Sequence, residues 1–356
     1  MIRVALDTNP LYTSRAGVAR YVRGLRRGLS QLDNSGLEIS EIAWEVENLN
    51  YEQPTRALKT LYRELVWAPL VAPTKLKRAE IDILHSTAGP LIDAPTPIRS
   101  VITLHDLAIL RYPNRFRPWH RTSALARLKK LHRADRIICV SNFTADEAMQ
   151  LLGISSKKLE VVYNGVDILE PGREEHATEF PDLPAEFLLF VGSLEPGKNL
   201  LLLKEMYSLA ENSGRTLPPL VIIGARWAGV KSEGPPPKNW VYLGRQPDLV
   251  MVAAYRRAIA LLFPSIYEGF GLPIVEAQSA GCPVICSAVA SLPEVAGKAA
   301  LFSELTAQAY LEAISSLERD SDLRENLVRE GKSNASRFSW HRCAKETLAV
   351  YRTAIG

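Results

Sequence analysis

The chain has 356 residues, 47% of them hydrophobic and 23% charged, with a formal net charge of +4. That balance excludes a disordered chain, and the length exceeds what one hydrophobic core usually supports, so two domains are expected. No apolar run approaches the roughly 18 to 20 residues that span a bilayer, and the opening MIRVALDTNP reads as a strand rather than a signal peptide, so a cytoplasmic protein is expected.

Short apolar strands alternate with amphipathic stretches along the first half. The strands are IRVALD (2–7), EIAW near 41, IDILHS (81–86), SVITL (100–104), RIICVS (136–141) and LEVVYN (159–164), with helical patterns over 17–30 and 118–132 among the intervening segments. A polar, proline-rich passage near 168–184 interrupts the pattern, which resumes with FLLFVGS (187–193), LVIIGA (220–225), WVYLG (240–244), ALLFPS (260–265) and PVICS (283–287). Alternation of this kind predicts an α/β chain of two Rossmann-like, doubly wound domains, whose ligand crevices open at the carboxyl ends of the strands.

Charge is unevenly shared. Residues 1–170 hold 24 Lys and Arg against 18 Asp and Glu, whereas residues 171–356 hold 19 against 21. Much of the basic excess lies in residues 111–136, with nine cations and one acid. Arg115, Arg117, Arg121, Lys129 and Lys130, with Phe116 and Trp119 among them, read either as a solvated face or as a surface for anionic lipid or a phosphate-bearing acceptor. Cys139, Cys282, Cys286 and Cys343 lack metal-ligand spacing and are expected to be buried thiols. Asp320 and Asp322, the one Asp-x-Asp, read as a helix cap.

The stretch FPSIYEGFGLPIVEAQSAG carries the sharpest signal. A strand ends in ALLFPS and a helix begins at PIVEAQSAG, with Pro273 in its first turn, where a missing N–H costs nothing. The amides of Gly269, Phe270, Gly271 and Leu272 then form an anion site at a helix N-terminus, open enough for a sugar pyrophosphate. Glu268 at its lip and Glu276 on the helix suit sugar and ribose hydroxyls, or else are helix N-terminal acids that favour the dipole.

With these glycines, the Glu-x7-Glu spacing resembles glycosyltransferase family 4, whose members are retaining enzymes of the two-domain GT-B fold. FVGSLEPGKNL, SLPEVAGKAALF, VVYNGVD, AGVARYVRGLRRGL, LHDL and VSNFTADE extend the resemblance over nearly the whole chain. It implies an N-terminal acceptor-binding domain over 1–170, a nucleotide-sugar-binding domain over 171–338, and a last helix over 339–356 that crosses back, with the two domains facing a cleft.

The resemblance also implies roles. Glu276 would bind the donor ribose, Glu268 the transferred hexose, and Lys198 the diphosphate, with Ser193 and Arg226 in the donor site and Trp227 and residues 245–249 near the base. His105, after SVITL, would face the sugar, or else belongs to a capped turn with Asp106. Gly17 and Arg20 would lie beside acceptor and phosphates, helped by Arg15. Here Ala16 and Ala19 stand where glycines are common, and Gly197 where arginine is common.

The implied reaction is transfer of a hexose from a GDP- or UDP-sugar to a glycan or lipid-linked acceptor, with no cofactor, no metal and no nucleic acid; the basic segment 111–136 adds the expectation of peripheral contact with an anionic membrane. A GT-B epimerase or phosphorylase and a non-catalytic sugar-nucleotide-binding protein are the alternatives. A nicotinamide oxidoreductase is disfavoured because DTNPLYTSRAG, not G-x-G-x-x-G, follows the first strand.

Overall fold

A computed structural model describes residues 1–13, 17–33, 36–45, 56–167, 182–226, 230 and 234–356. It divides into one unit of Met1–Gly165 with Ser339–Gly356 and a second of Val166–Phe338. Each is built on a six-stranded parallel sheet. The near-continuous apolar runs of the central strands follow from helical cover on both faces.

In the first unit the strands are β1 (Ile2–Asp7), β2 (Leu37–Ile42), β3 (Ile83–Ser86), β4 (Arg99–Leu104), β5 (Arg136–Cys139) and β6 (Leu159–Val161). Their order is β2-β1-β3-β4-β5-β6. The chain winds outward in opposite directions from β1 and β3, which makes the gap between them the switch point. In register, Leu6 lies opposite His85 and Leu104 opposite Cys139.

The final helix, Trp340–Ile355, packs on the helix Gly17–Ser30 in this unit. Glycine permits the approach: a Cβ on Gly24 would come within 2.1 Å of the Trp340 indole, and one on Gly28 within 2.5 Å of the Trp340 carbonyl oxygen. The helical pattern expected over 118–132 ends sooner. The α-helix Pro118–Leu128 tightens into a 3-10 turn at Lys129–Arg133.

In the second unit the strands are β7 (Leu188–Val191), β8 (Leu220–Ile223), β9 (Trp240–Gly244), β10 (Leu261–Phe263), β11 (Val284–Ser287) and β12 (Leu301–Ser303), ordered β12-β11-β10-β7-β8-β9. Counted from β7 this is the 3-2-1-4-5-6 arrangement of dinucleotide-binding sheets, with its switch point between β7 and β10. One apolar cluster, including Phe190, Met206 and Tyr310, covers one face, and another, including Phe187, Tyr255 and Phe263, covers the other. The edge strand β12 has no counterpart in the sequence reading, since it is three residues long and exposes 40% of Phe302.

Candidate active site

The loops that leave β7 and β10 flank the switch point of the second sheet, and they bring two of the expected residues together. Lys198 forms an ion pair with Glu268. Both side chains are mostly buried, 17% and 14% exposed, and the ammonium also lies 5.4 Å from the centre of the Phe263 ring.

Lys198 does not open the following helix. It closes a 3-10 turn, Pro196–Lys198, and Asn199 in the left-handed region (φ 56°) separates it from the helix Leu200–Asn212. Glu195, buried, accepts the Gly197 N–H at 2.8 Å and caps that turn. The Gly197 carbonyl in turn accepts the Ile266 N–H at 2.9 Å, which ties the lysine loop to the glutamate loop.

The glutamate loop is held from three further sides. Ser287 donates to the Ser265 carbonyl at 2.5 Å, and the Ser291 hydroxyl reaches the carbonyls of Glu268 (2.9 Å) and Phe270 (3.0 Å). Phe270 turns its ring edge-on to Phe338 at 5.5 Å. Gly271 has φ 101° as the residue before the helix Leu272–Ala280, and a Cβ there would strike Leu292 at 2.8 Å, so both conformation and space favour glycine.

Gly269 and Leu272 complete the turn, and Pro273 sits in the first helical turn. Glu276 lies one turn further along and accepts the Tyr255 hydroxyl at 3.0 Å. Ser193, half-buried, follows β7, and Arg226 pairs through its backbone with Leu194 beyond β8. The Gln246 side-chain amide closes on the Leu243 carbonyl at 2.6 Å. Trp227, Arg15 and Ala16 lie outside the described residues, as do residues 168–181 of the expected linker.

In the first unit His105 follows β4, and its Nε2 lies 2.8 Å from the Thr87 carbonyl oxygen. A carbonyl only accepts, so Nε2 carries the proton and Nδ1 is left with the lone pair. Burial holds the imidazole below its usual range against the opposing pull of the Thr87 carbonyl and the Asp106 charge, so the ring is neutral at pH 7. Asp106 accepts the Ala108 N–H at 2.9 Å, a capped turn beside the ring.

Tyr21, on the helix that begins at Gly17, meets the His105 ring edge-on at 4.8 Å. Gly17 is exposed, Arg20 is half-buried, and Ala19 packs wholly inside, its methyl belonging to the core.

Behind His105 lies a buried polar chain. The Tyr21 hydroxyl bonds Thr103 (2.9 Å), Thr103 bonds His85 Nε2 (2.8 Å), and His85 Nδ1 bonds the Tyr351 hydroxyl (2.6 Å). Burial lowers His85 to about 3, so it too is neutral. At the switch point, Thr87 donates to the Asp7 carbonyl at 2.6 Å. Burial pushes the Asp7 carboxyl up to about 6, although Asn9 donates to it from its backbone (2.9 Å) and side chain (2.7 Å).

Glu195, Ser291, Tyr255, His85 and Asp7 are not among the residues expected from sequence. Glu195, two residues before Gly197, is a capping pattern that marks it in retrospect, whereas Ser291 precedes a helix without capping it and its hydroxyl serves carbonyls 21 and 23 residues away. Tyr255 and His85 act through partners distant in sequence, and the Asp7 carboxyl is held by Asn9, two residues on. All four cysteines are free and buried, and burial raises the Cys139, Cys282 and Cys343 thiols to about 12. Asp320 accepts the Leu323 N–H at 2.8 Å as a helix cap. Among the described residues no cluster of His, Cys, Asp or Glu could hold a metal ion.

Two parallel six-stranded sheets, one with a charged pair and a glycine-led helix at its switch point, define the Rossmann-like α/β architecture of the GT-B glycosyltransferases. Comparison with known proteins narrows this. The model for glycosyl transferases group 1 matches residues 173–334 and that for glycosyltransferase family 4 matches residues 15–169. The chain is 32% identical over 282 residues to the O-antigen chain mannosyltransferase B of Escherichia coli, covering 71% of this chain and 70% of that one.

Among solved structures, sucrose-phosphate synthase from Thermosynechococcus elongatus superposes with a TM-score of 0.74 at 18% identity, covering 99% of both chains. Anabaena Alr3699/HepE in complex with UDP and glucose does so with a TM-score of 0.68 at 15% identity, covering 99% of this chain and 100% of that one. The chain belongs to glycosyltransferase family 4 and is a glycosyltransferase.

Proposed function

We propose that the enzyme transfers a hexose, with retention of anomeric configuration, from a nucleoside-diphosphate sugar to a hydroxyl of a glycan or lipid-linked acceptor, without a metal ion. The observation that carries this reading is the Lys198–Glu268 pair at the second switch point, beside a nine-residue helix led by Gly271.

Without donor the two charges neutralise one another. An incoming diphosphate offers Lys198 a more concentrated negative charge and lies against the helix N-terminus, so Glu268 is released to accept hydrogens from sugar hydroxyls. Glu276, oriented by Tyr255, holds the ribose. His105 accepts a sugar hydroxyl at Nδ1, and Gly17 and Arg20 border the acceptor and phosphates.

The bond from the anomeric carbon to the diphosphate oxygen breaks as the bond to the acceptor oxygen forms on the same face. The acceptor's proton passes to the departing phosphate oxygen, and the nucleoside diphosphate leaves. The protein supplies positioning and charge stabilisation rather than a base.

The name of the Escherichia coli relative supports mannose as the sugar and a surface polysaccharide as the product. The basic segment 111–136 suits an acceptor presented on an anionic membrane. Calorimetric titration with GDP, UDP, GDP-mannose and UDP-glucose, with and without EDTA, tests the reading. One nucleotide series should bind equally in both conditions. Binding of none of the four, or binding abolished by EDTA and restored by Mg²⁺ or Mn²⁺, contradicts it.

A further inference from the structure

The helical stretch from Arg56 to Arg78 has two apolar faces. One packs on the first sheet, where Trp67, Ala68, Ala72 and Leu76 are buried in a cluster with Ala5, Ile42 and Leu84. The other points into water: Leu58, Leu61, Leu65 and Leu70 are 70%, 54%, 62% and 64% exposed.

These leucines recur at steps of three, four and five residues. The widest step falls in the π-helical segment Arg63–Val71, which contains Pro69. Its larger turn carries the stripe on where an α-helix would rotate Leu70 away. A helix whose core face is already covered ordinarily turns charges outward, so a second apolar stripe needs a partner.

An ion-pair network ties the helix that carries the stripe to the basic segment. Glu64, on the same helix, is paired with Arg63 at 2.9 Å and with Arg127 at 3.1 Å. Arg127 lies on the helix Pro118–Leu128, so the leucines lie beside the basic segment. Within that segment Arg111 pairs with Glu147 and Lys130 with Asp93, and the Arg115 guanidinium lies over the Tyr112 and Phe116 rings. Arg117, Arg121, Lys129 and Arg133 are exposed, as are Lys75, Lys77 and Arg78 at the end of the helical stretch.

We propose that this face docks on an anionic lipid leaflet, the leucines entering the boundary of the acyl region and the flanking cations lying among headgroup phosphates. The charge pattern selects that occupant. A second copy of the chain meeting this face with its own would set cations against cations, whereas an anionic leaflet complements both parts at once. No helix among the described residues is long and apolar enough to cross a membrane, so the contact is interfacial. For its purpose the proposal rests on the membrane-borne acceptor proposed above, but its test does not require that acceptor.

Flotation with vesicles of phosphatidylcholine, alone or with added phosphatidylglycerol, decides it. The parent should float with the anionic vesicles and detach as salt rises. Leu58→Ser, Leu61→Ser and Leu65→Ser should each weaken binding by about tenfold, and together by at least a hundredfold, with the thermal midpoint unchanged. Leu201→Ser, at an isolated leucine 50% exposed in the second unit, should bind like the parent.

If the triple variant floats like the parent, the stripe is not the docking element, although the basic segment can still serve a membrane-borne acceptor. If the parent floats with neither vesicle, both the stripe and the membrane reading fall, while nucleotide calorimetry continues to test the transferase reading. A parent that elutes as a dimer, with a monomeric triple variant, assigns the stripe to self-association and overturns the proposal.

Discussion

The two switch points solve different problems. In the second unit the polar groups carry charge at the surface of a tightly fastened turn, and the groups that fix them are backbone amides, carbonyls and serines in the loops after β7, β10 and β11. In the first unit the groups are withdrawn from water and shifted toward their neutral forms: burial lowers His105 and His85 and raises the Asp7 carboxyl. Fixed charge at a helix N-terminus suits a diphosphate, whereas neutral donors and acceptors suit sugar hydroxyls without attracting competing ions. The contrast explains why one fold, used twice, presents different chemistry in its two copies.

The largest test of that contrast is Glu268→Ala, for which transfer should fall by about a thousandfold because the sugar loses its clamp. Nucleoside diphosphate should bind at least as well as to the parent, since Lys198 no longer has a competing carboxylate. Loss of nucleotide affinity equal to that of Glu276→Ala would remove the division of roles between the two glutamates.

Lys198→Ala comes next. A charge-assisted hydrogen bond is worth roughly 1.5–3 kcal/mol, so nucleoside diphosphate affinity should drop about tenfold to a hundredfold. If titration finds it unchanged, the lysine only neutralises Glu268 and the phosphates bind elsewhere.

The first unit should respond through stability. Asp7 is raised when folded, so its contribution is complete below about pH 4 and is lost as pH rises through about 6. Asp7→Asn keeps an oxygen for the Asn9 donors and cannot ionise. It should therefore be more stable than the parent by roughly 1–3 kcal/mol at pH 7.5, with the difference vanishing near pH 4. A constant difference between those pH values in thermal unfolding would mean that Asp7 ionises freely in the folded chain.

The smallest effect tests how finely the second site is built. Tyr255→Phe removes one hydrogen bond to Glu276 and should weaken nucleotide binding by about twofold to tenfold, with kcat unaltered at saturating donor. A change confined to kcat would move Glu276 from the ribose to the reacting sugar.

What could be read from the sequence is what short-range patterns encode. Apolar runs of four to six residues mark most strands because a covered parallel strand must be apolar on both faces, and Gly271 with Pro273 marks a strand-to-helix turn because backbone conformation is a local property. The strand β12 escaped because an edge strand only partly covered has no such run. The outward leucines of Arg56–Arg78 carry helical spacing, which reports a face but not whether core or solvent lies against it.

The pairings were decided by tertiary structure alone. Lys198 meets Glu268 across 70 residues because β7 and β10 are neighbours at the switch point, and His85 meets Tyr351 across 266 because the last helix returns to the first sheet. The sequence by itself determined which residues were able to carry charge, turn the chain or enter a core. Only the folded chain decided which of them are desolvated together, and desolvation is what lowers the His105 imidazole and raises the Asp7 carboxyl.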